Sequence, residues 1–115
     1  MTIKTEGVHA GEVLLSEANG TRSREEITLA ATTVVLPAGQ LLGKVTATGL
    51  YAPYAPAATD GTEVVGAVLY APVGSSTAEQ RALCIVRDAE VKRALLTGLD
   101  AAGEADLLAL GIVCR

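Results

Sequence analysis

The sequence predicts a mainly β domain that ends in one short helix. Short runs in which apolar and polar residues alternate recur between Gly- and Pro-containing turns over most of the chain. One pattern of helical spacing follows Asp100, close to the C-terminus. Half of the 115 residues are apolar, which is enough for a single domain with its own core.

Strands are expected wherever apolar and β-branched residues alternate with polar ones or form a short continuous run. Within the run over 41–46, Gly43 indicates a bulge or a close approach of another segment, because glycine contributes no side chain to a strand. The run over 63–70 and the run over 81–91 are apolar enough to be buried strands. The predicted strands are residues 26–29, 33–36, 41–46, 63–70, 81–91 and 112–114.

Turns are expected between these strands. Leu36-Pro37-Ala38-Gly39 predicts a tight turn, because proline fixes φ and glycine accepts a positive φ. Ala-Thr-Gly at 47–49 predicts another. The segments 51–61, which contains two prolines, and 72–80, which is polar, predict loops.

The helix is expected over residues 100–110. Asp100 is a favourable N-cap, and Gly111 suits the position just after the helix, where the left-handed conformation is common. Its apolar face is expected to consist of Leu107, Leu108 and Leu110.

Charge and hydropathy exclude two kinds of partner. Thirteen acidic residues face nine basic ones, and the net charge is −4 with no basic cluster, so no direct contact with nucleic acid is expected. The apolar stretches are too short to span a membrane. The first residues lack the apolar segment of a signal peptide, which favours synthesis in a cytoplasm, or assembly there into something larger.

The apolar residues are small. The chain has no Trp or Phe, and its aromatic residues are three tyrosines. Large rings usually supply much of the buried area. A core of Ala, Val, Leu and Ile therefore favours a fold that is completed by neighbouring subunits, although a well-packed monomer remains an alternative.

No set of residues typical of an active site is present, so the sequence predicts neither an enzyme nor a cofactor or metal site. His9 is the single histidine and lies in the N-terminal segment. Cys84 and Cys114 lack the spacing of a metal site, and we expect both to be reduced and structural. A thiol in an apolar strand has a raised pKa, which makes Cys84 unreactive. Lys44 lacks the surroundings of a carrier lysine.

Two polar segments indicate binding by backbone and shape. Residues 1–13 contain β-compatible residues too sparse to form a core, and such an arm can add to the strand edge of another chain. Residues 16–25 predict a polar turn that is held by Asn19-Gly20 and by Ser or Thr side chains bonded to backbone. In this interpretation the turn directs the arm, and in the alternative it is a solvated connection.

Several motifs resemble those of phage head decoration proteins of the lambda D type. SEANGTRSRE at 16–25 and TDGTEVVGAVLY at 59–70 occur in the order of that family. The similarity continues through PAGQLLGKVTATGLYAPYAP at 37–56, RDAEV at 87–91 and LLALGIV at 107–113. One departure is KRALLTGL at 92–99, which is shorter than the corresponding connection of many relatives and lacks their Trp and Pro.

The resemblance implies a β-clip-like domain, or incomplete barrel, with a short C-terminal helix and a flexible N-terminal arm. It implies homotrimers on the outer surface of the expanded capsid, at threefold and quasi-threefold positions. There they would clamp adjacent capsomers against the pressure of packed DNA, with the major capsid protein as partner. The runner-up is a capsid-surface attachment module, for which only the tyrosines of YAPYAP offer an aromatic platform.

The expected division is a capsid-binding arm at 1–13 and one β-rich decoration domain at 14–115. The arm residues expected to contact the capsid are Thr2, Ile3, Lys4, Thr5, Glu6 and Val8. The residues expected to orient the arm or to contact the capsid from the polar turn are Ser16, Glu17, Asn19, Gly20, Arg22 and Arg24.

Overall fold

The computed structural model describes residues 9–20 and 22–115, and these form eight short strands, a 3-10 turn at Arg93–Leu95 and one α-helix. The helix is α1, Ala101–Ala109. The strands are β1 Leu14–Glu17, β2 Arg24–Leu29, β3 Leu41–Lys44, β4 Tyr51–Pro53, β5 Ala67–Leu69, β6 Gln80–Ile85, β7 Ala89–Val91 and β8 Ile112–Cys114.

Five of the strands close into a barrel in the order β2-β4-β3-β5-β6. All neighbours in it are antiparallel except β2 and β4. The remaining strands form a separate sheet in the order β1-β7-β8, in which β7 and β8 are parallel and α1 supplies the crossover. The mainly β fold with a short C-terminal helix is therefore confirmed, and its barrel is closed.

Two apolar clusters follow from the alternation of side chains along the barrel strands. On β5 and β6, alternate residues face one cluster enclosed by the barrel strands, which also contains Ile27, Leu29 and Leu42. Three of its members, Ala67, Ala82 and Cys84, are small, and the rest are aliphatic, which suits the limited space inside a five-stranded barrel. The scarcity of large aromatic residues is thus matched to the narrow barrel.

The second cluster joins the barrel to the three-stranded sheet and the helix. The opposite faces of the barrel strands contribute Leu41, Val68 and Ile85. The sheet and the helix contribute, among others, Val91 and Leu107, both fully buried. This second layer fixes β1 and the start of the described chain against the barrel.

Several predicted elements are confirmed with changed limits. The run 81–91 is two strands, because Asp88 turns the chain with a φ of +47° between β6 and β7. The run 63–70 is strand only at β5, and the predicted loop 51–61 begins with β4. Asp100 caps α1 through its carboxylate, which accepts from the Gly103 N–H. Gly111 follows the helix with a φ of +81°, as predicted.

Two predictions are wrong, one about a strand and one about the apolar face of the helix. Residues 33–36 form no strand; the segment is held by isolated bridges from Thr32 to Ser76 and from Leu36 to Val73. Val34 and Val35 between those bridges are exposed. Leu108, expected on the apolar helix face, is also exposed, whereas Leu107 is buried as predicted.

Gly43 allows the close approach that the sequence indicated. A Cβ atom at this position would lie 2.6 Å from the Thr62 Cα atom. The chain from Gly61 to Val65 can therefore cross directly over β3. Asp106 of α1 accepts a hydrogen bond from the Val65 N–H, which ties the same segment to the helix.

Candidate functional site

The polar turn predicted over 16–25 connects β1 to β2 at one end of the barrel. Gly20 has a φ of +68°, so the Asn19-Gly20 pair reverses the chain at a point where glycine is favoured. Asn19 and Gly20 are exposed at the end of this turn. Most residues of the turn are polar, and one of them has a buried side chain that bonds the turn to the rest of the domain.

That side chain is Ser23, which is fully buried. Its hydroxyl accepts from the Ala18 N–H at 3.0 Å and donates to the Asp88 carbonyl at 2.7 Å. The Ser23 carbonyl accepts from the Val86 N–H at 2.8 Å. The hydroxyl therefore joins both sides of the turn to the β6–β7 connection, which confirms that a Ser or Thr side chain bonds to backbone here.

Arg24 and Glu17 form a two-pronged ion pair across the base of the turn. The Arg24 Nε donates to Glu17 Oε2 at 2.9 Å and an Arg24 Nη donates to Oε1 at 2.6 Å. The guanidinium also lies over the Tyr70 ring, 4.5 Å from its centre. The hydrogen bonds to Glu17 raise the pKa of Arg24 above its ordinary value. Arg24 is thus already paired within the chain.

The same tyrosine holds the segment that leads into β1. The Gly11 N–H donates to the Tyr70 carbonyl at 3.0 Å. Gly11 has a φ of +74°, and a Cβ atom there would lie 2.6 Å from the Tyr70 hydroxyl, so only glycine fits. Val13 is fully buried in the second cluster. The chain is therefore packed onto the domain from Gly11 onwards, inside the segment that the sequence assigned to the arm.

We call this arrangement of Gly11, Val13, Glu17, Arg24 and Tyr70 the arm root. The predicted arm residues Thr2, Ile3, Lys4, Thr5, Glu6 and Val8 lie outside the described residues.

Arg22 is the most accessible cation of the turn. Its guanidinium is exposed and lies 3.7 Å from the Asp88 carboxylate, and its carbonyl accepts from Arg87. The predicted residues Ser16, Glu17 and Arg22 come together along a shallow groove of about 410 Å³ between the turn and the three-stranded sheet. Asp88 and Glu90 line its other side.

Sequence reasoning located the turn but missed parts of the arm root. Tyr70 was expected only as the end of a buried strand, and Gly11 and Val13 as part of the arm. The sequence Gly11-Glu12-Val13 contains no pattern that would distinguish a packed segment from a free one. The Ser23–Asp88 contact joins residues 65 positions apart, and it ends on a backbone carbonyl that any residue could supply.

The two cysteines are the thiols whose reactivity the sequence analysis considered. Burial raises the pKa of the Cys84 thiol to about 12, as the apolar strand predicted in direction. Both cysteines are free. In the part of the chain that the structure describes, no three His, Cys, Asp or Glu side chains are placed to hold a metal ion. No helix there is long and apolar enough to cross a membrane.

Comparison with known proteins gives one family. The family model described as Bacteriophage lambda head decoration protein D matches residues 3–112. A search of curated proteins returned no significant match. The match includes the polar turn, the arm root, all barrel strands and the helix, and it ends at the first residue of β8.

Proposed function

Because the chain belongs to the family of bacteriophage lambda head decoration protein D, we propose that it binds as a homotrimer to the outer surface of the expanded phage head. The family makes it a structural protein of the virion that associates with the capsid. The proposed positions are the threefold and quasi-threefold sites, where a trimer can clamp adjacent capsomers. The observation that carries this proposal is the family match over nearly the whole chain.

The proposed clamp works by mass action. A protein that binds the expanded shell and not the unexpanded one stabilises the expanded state by the free energy of binding. No reactive group is needed for this role. The partner is the major capsid protein, and the net charge of −4 suits the outside of a DNA-filled shell better than its lumen.

The arm supplies backbone contacts in this proposal. Thr2, Ile3, Lys4, Thr5, Glu6 and Val8 would add as a strand to an edge of the capsid protein, with each backbone hydrogen bond contributing about 0.5–1.5 kcal/mol. Three arms on one trimer act together, so weak single contacts combine into an avidity gain of roughly 10²–10⁴. The packed arm root limits where each arm leaves the domain.

The polar turn divides into two roles. Glu17 and Arg24 face each other and Tyr70, and we assign them to positioning the arm root. Asn19, Gly20 and Arg22 are exposed, and we assign them, with Ser16, to contact with the capsid. The alternative is that these residues are a solvated connection.

Deletion of residues 2–8 from the full chain tests the arm. Deleting 2–13 would also remove the buried Val13 and the Gly11–Tyr70 hydrogen bond, so the shorter deletion is the sharper one. We expect urea unfolding to be unchanged and occupancy of expanded shells, measured by co-sedimentation, to fall at least tenfold. A chain of equal length with Gly and Ser at 2–8 is the matched control for length.

Full occupancy without the arm would contradict the proposed clamp and is the result that an attachment module predicts. The turn is tested separately by Asn19→Ala with Arg22→Ala, which leaves Ser23 and Arg24 in place. Reduced occupancy with unchanged stability supports capsid contact, and unchanged occupancy supports the solvated connection. Labelling of intact heads by an antibody against this protein tests the outer location.

A further inference from the structure

The end of the barrel opposite the polar turn carries a continuous surface without charge. It consists of the segments 30–36, 45–50 and 71–78, which contain no Asp, Glu, Lys, Arg or His, and we call it the neutral tip. Bridges from Thr32 to Ser76 and from Leu36 to Val73 join two of the segments. The third is adjacent, because Leu50 lines a groove together with Ala31 and Ala78, and the charged Glu79 lies at the edge of this groove.

The neutral tip exposes apolar side chains that a solvated loop does not need. Val34 and Val35 are 58% and 66% exposed, side by side. Next to them, a groove of about 770 Å³ runs between 31–33 and 75–77, lined by the methyl and hydroxyl groups of alanine, threonine and serine. Depletion of charge with exposed apolar groups is the composition found at the centre of protein interfaces.

Two unpaired charges of opposite sign border the neutral tip. Elsewhere in the described residues, each arginine faces a carboxylate within 3.7 Å, and Lys92 is the remaining lysine without an ion-pair partner. Each described carboxylate other than Glu79 either takes part in such a pair or accepts a hydrogen bond. Glu79 precedes β6 and Lys44 ends β3, and in the described part of the chain neither has an ion-pair partner.

Within one chain these two charges are held apart. The strand register runs from Lys44 through Tyr51 and Leu29 to Gln80, so β4 and β2 lie between them. These two strands separate the residues on one side of the closed barrel, and in the described chain Lys44 and Glu79 form no ion pair with each other. Asp60, the other carboxylate near the 45–50 turn, is held by the N–H and the hydroxyl of Thr62.

We propose that the neutral tip is the surface through which copies of this chain contact one another. Val34 and Val35 of one copy seat in the groove of the next, and Lys44 faces the Glu79 of the neighbouring copy. The occupant is a second copy because the tip carries both halves of the contact, a cation and an anion on its two sides. A head-to-tail contact closes into a ring of three when each copy is rotated by a third of a turn from the last, which is the geometry of the proposed homotrimer. This inference rests on the proposed homotrimer and adds the surface that builds it.

Charge reversal and its double variant test the inference on purified expanded shells. We expect Lys44→Glu and Glu79→Lys each to lower the yield of chemically cross-linked trimers about fivefold. The double variant K44E/E79K restores the opposite signs, so its yield should return to within about twofold of the unchanged chain. Lys92→Glu, at a lysine away from the tip, is the control for net charge. Equal yields in all variants, or no recovery in the double variant, would overturn the assignment.

A second pair of variants tests the valines. Val35→Asp places a charge in the proposed contact and should lower the trimer yield at least tenfold. Val64→Asp makes the same change at an exposed valine outside the tip and should leave it unchanged. Urea unfolding verifies that both variants are folded. Loss of shell binding by V35D with normal cross-linking of the copies that remain bound would identify the capsid protein as the occupant, and would overturn the inference.

The two proposals fail in different ways. If the unchanged chain occupies shells and cross-links as trimers while the tip variants behave like it, the inference fails and the decoration trimer stands. If the unchanged chain shows no contact between copies on shells, both fail.

Discussion

The two ends of the barrel treat charge in opposite ways. At the polar turn, Arg24 pairs with Glu17, Arg87 pairs with Glu25, and Arg22 lies beside Asp88. At the neutral tip the loops carry no charge, two valines are exposed, and the flanking Lys44 and Glu79 have no ion-pair partner in the described part of the chain. The polar turn has the more polar sequence, yet its charged side chains are paired within the chain, whereas those that flank the neutral tip are not.

This difference indicates how an interface can be recognised in a single chain. A polar segment whose groups are already bonded within the chain offers few free groups to a partner, although its shape and backbone remain available. When another surface covers an uncharged segment with exposed valines, the free energy falls, because apolar surface is removed from water. Exposed apolar side chains and charges without a partner in the chain are therefore a better guide to a binding surface than the polarity of a segment.

The largest expected contrast is between a valine at the arm root and a valine at the neutral tip. Val13→Ala removes two methyl groups from a fully buried site and should lower the free energy of unfolding by about 2 kcal/mol. Val35→Ala removes the same groups from a mostly exposed site and should change it by no more than about 0.5 kcal/mol. Urea denaturation of the two variants measures both. Equal effects would mean that residues 9–13 are not packed as described.

The next contrast concerns hydroxyl groups. Ser23→Ala removes the buried bridge between the turn and the β6–β7 connection, leaving the Asp88 carbonyl with one partner fewer, and should cost about 1–2 kcal/mol. Ser75→Ala, at the exposed neutral tip, is the matched control and should have no measurable effect. If S23A unfolds at the urea concentration of the unchanged chain, the turn is held by its other hydrogen bonds.

The sequence was sufficient for features that depend on local chemistry. The helix follows from Asp100 and Gly111, because an N-cap carboxylate and a left-handed glycine act within one turn of the chain. The position of the polar turn follows from Asn19-Gly20, and the close approach at Gly43 from the missing side chain. The predicted bonding of a Ser or Thr to backbone was also confirmed, at Ser23.

It was insufficient where contacts join distant parts of the chain. The β-branched run 33–36 has the composition of a strand, yet it lies in a loop that is bridged to 73–76. Its valines are exposed, so composition alone predicted a strand where the structure has a loop. The packing of Gly11 against Tyr70 and the split of 81–91 at Asp88 likewise depend on tertiary contacts.

A smaller effect is expected from the ion pair of the arm root. Glu17→Gln weakens the two-pronged bond to Arg24, which is mostly shielded from solvent, and should cost about 1 kcal/mol. Glu26→Gln alters the exposed pair with Arg81 and should cost close to nothing. The Gly11 amide donates to the carbonyl of Tyr70, whose ring lies under the Arg24 guanidinium, and its hydrogen exchange should accelerate in E17Q and not in E26Q. Similar exchange rates in both variants would show that the Glu17–Arg24 ion pair does not stabilise the packing of Gly11.

The mildest test uses the two cysteines of the chain as reporters of its two layers. Cys84 is fully buried in the barrel cluster, and Cys114 is half-buried in β8 of the three-stranded sheet. Burial raises the pKa of both thiols, that of Cys84 to about 12, so at pH 8 only about one Cys84 thiol in 10⁴ is ionised. A thiol reagent should therefore modify Cys114 first, at a rate that rises with pH as its thiolate forms.

Cys84 should react only when the barrel opens, so its rate should follow the urea dependence of global unfolding. Cys114→Ser leaves Cys84 as the single thiol and allows its rate to be measured alone. If Cys84 in that variant reacts quickly in the absence of urea, the barrel opens as readily as the sheet. The neutral tip would then lack the rigid support that a contact between copies requires.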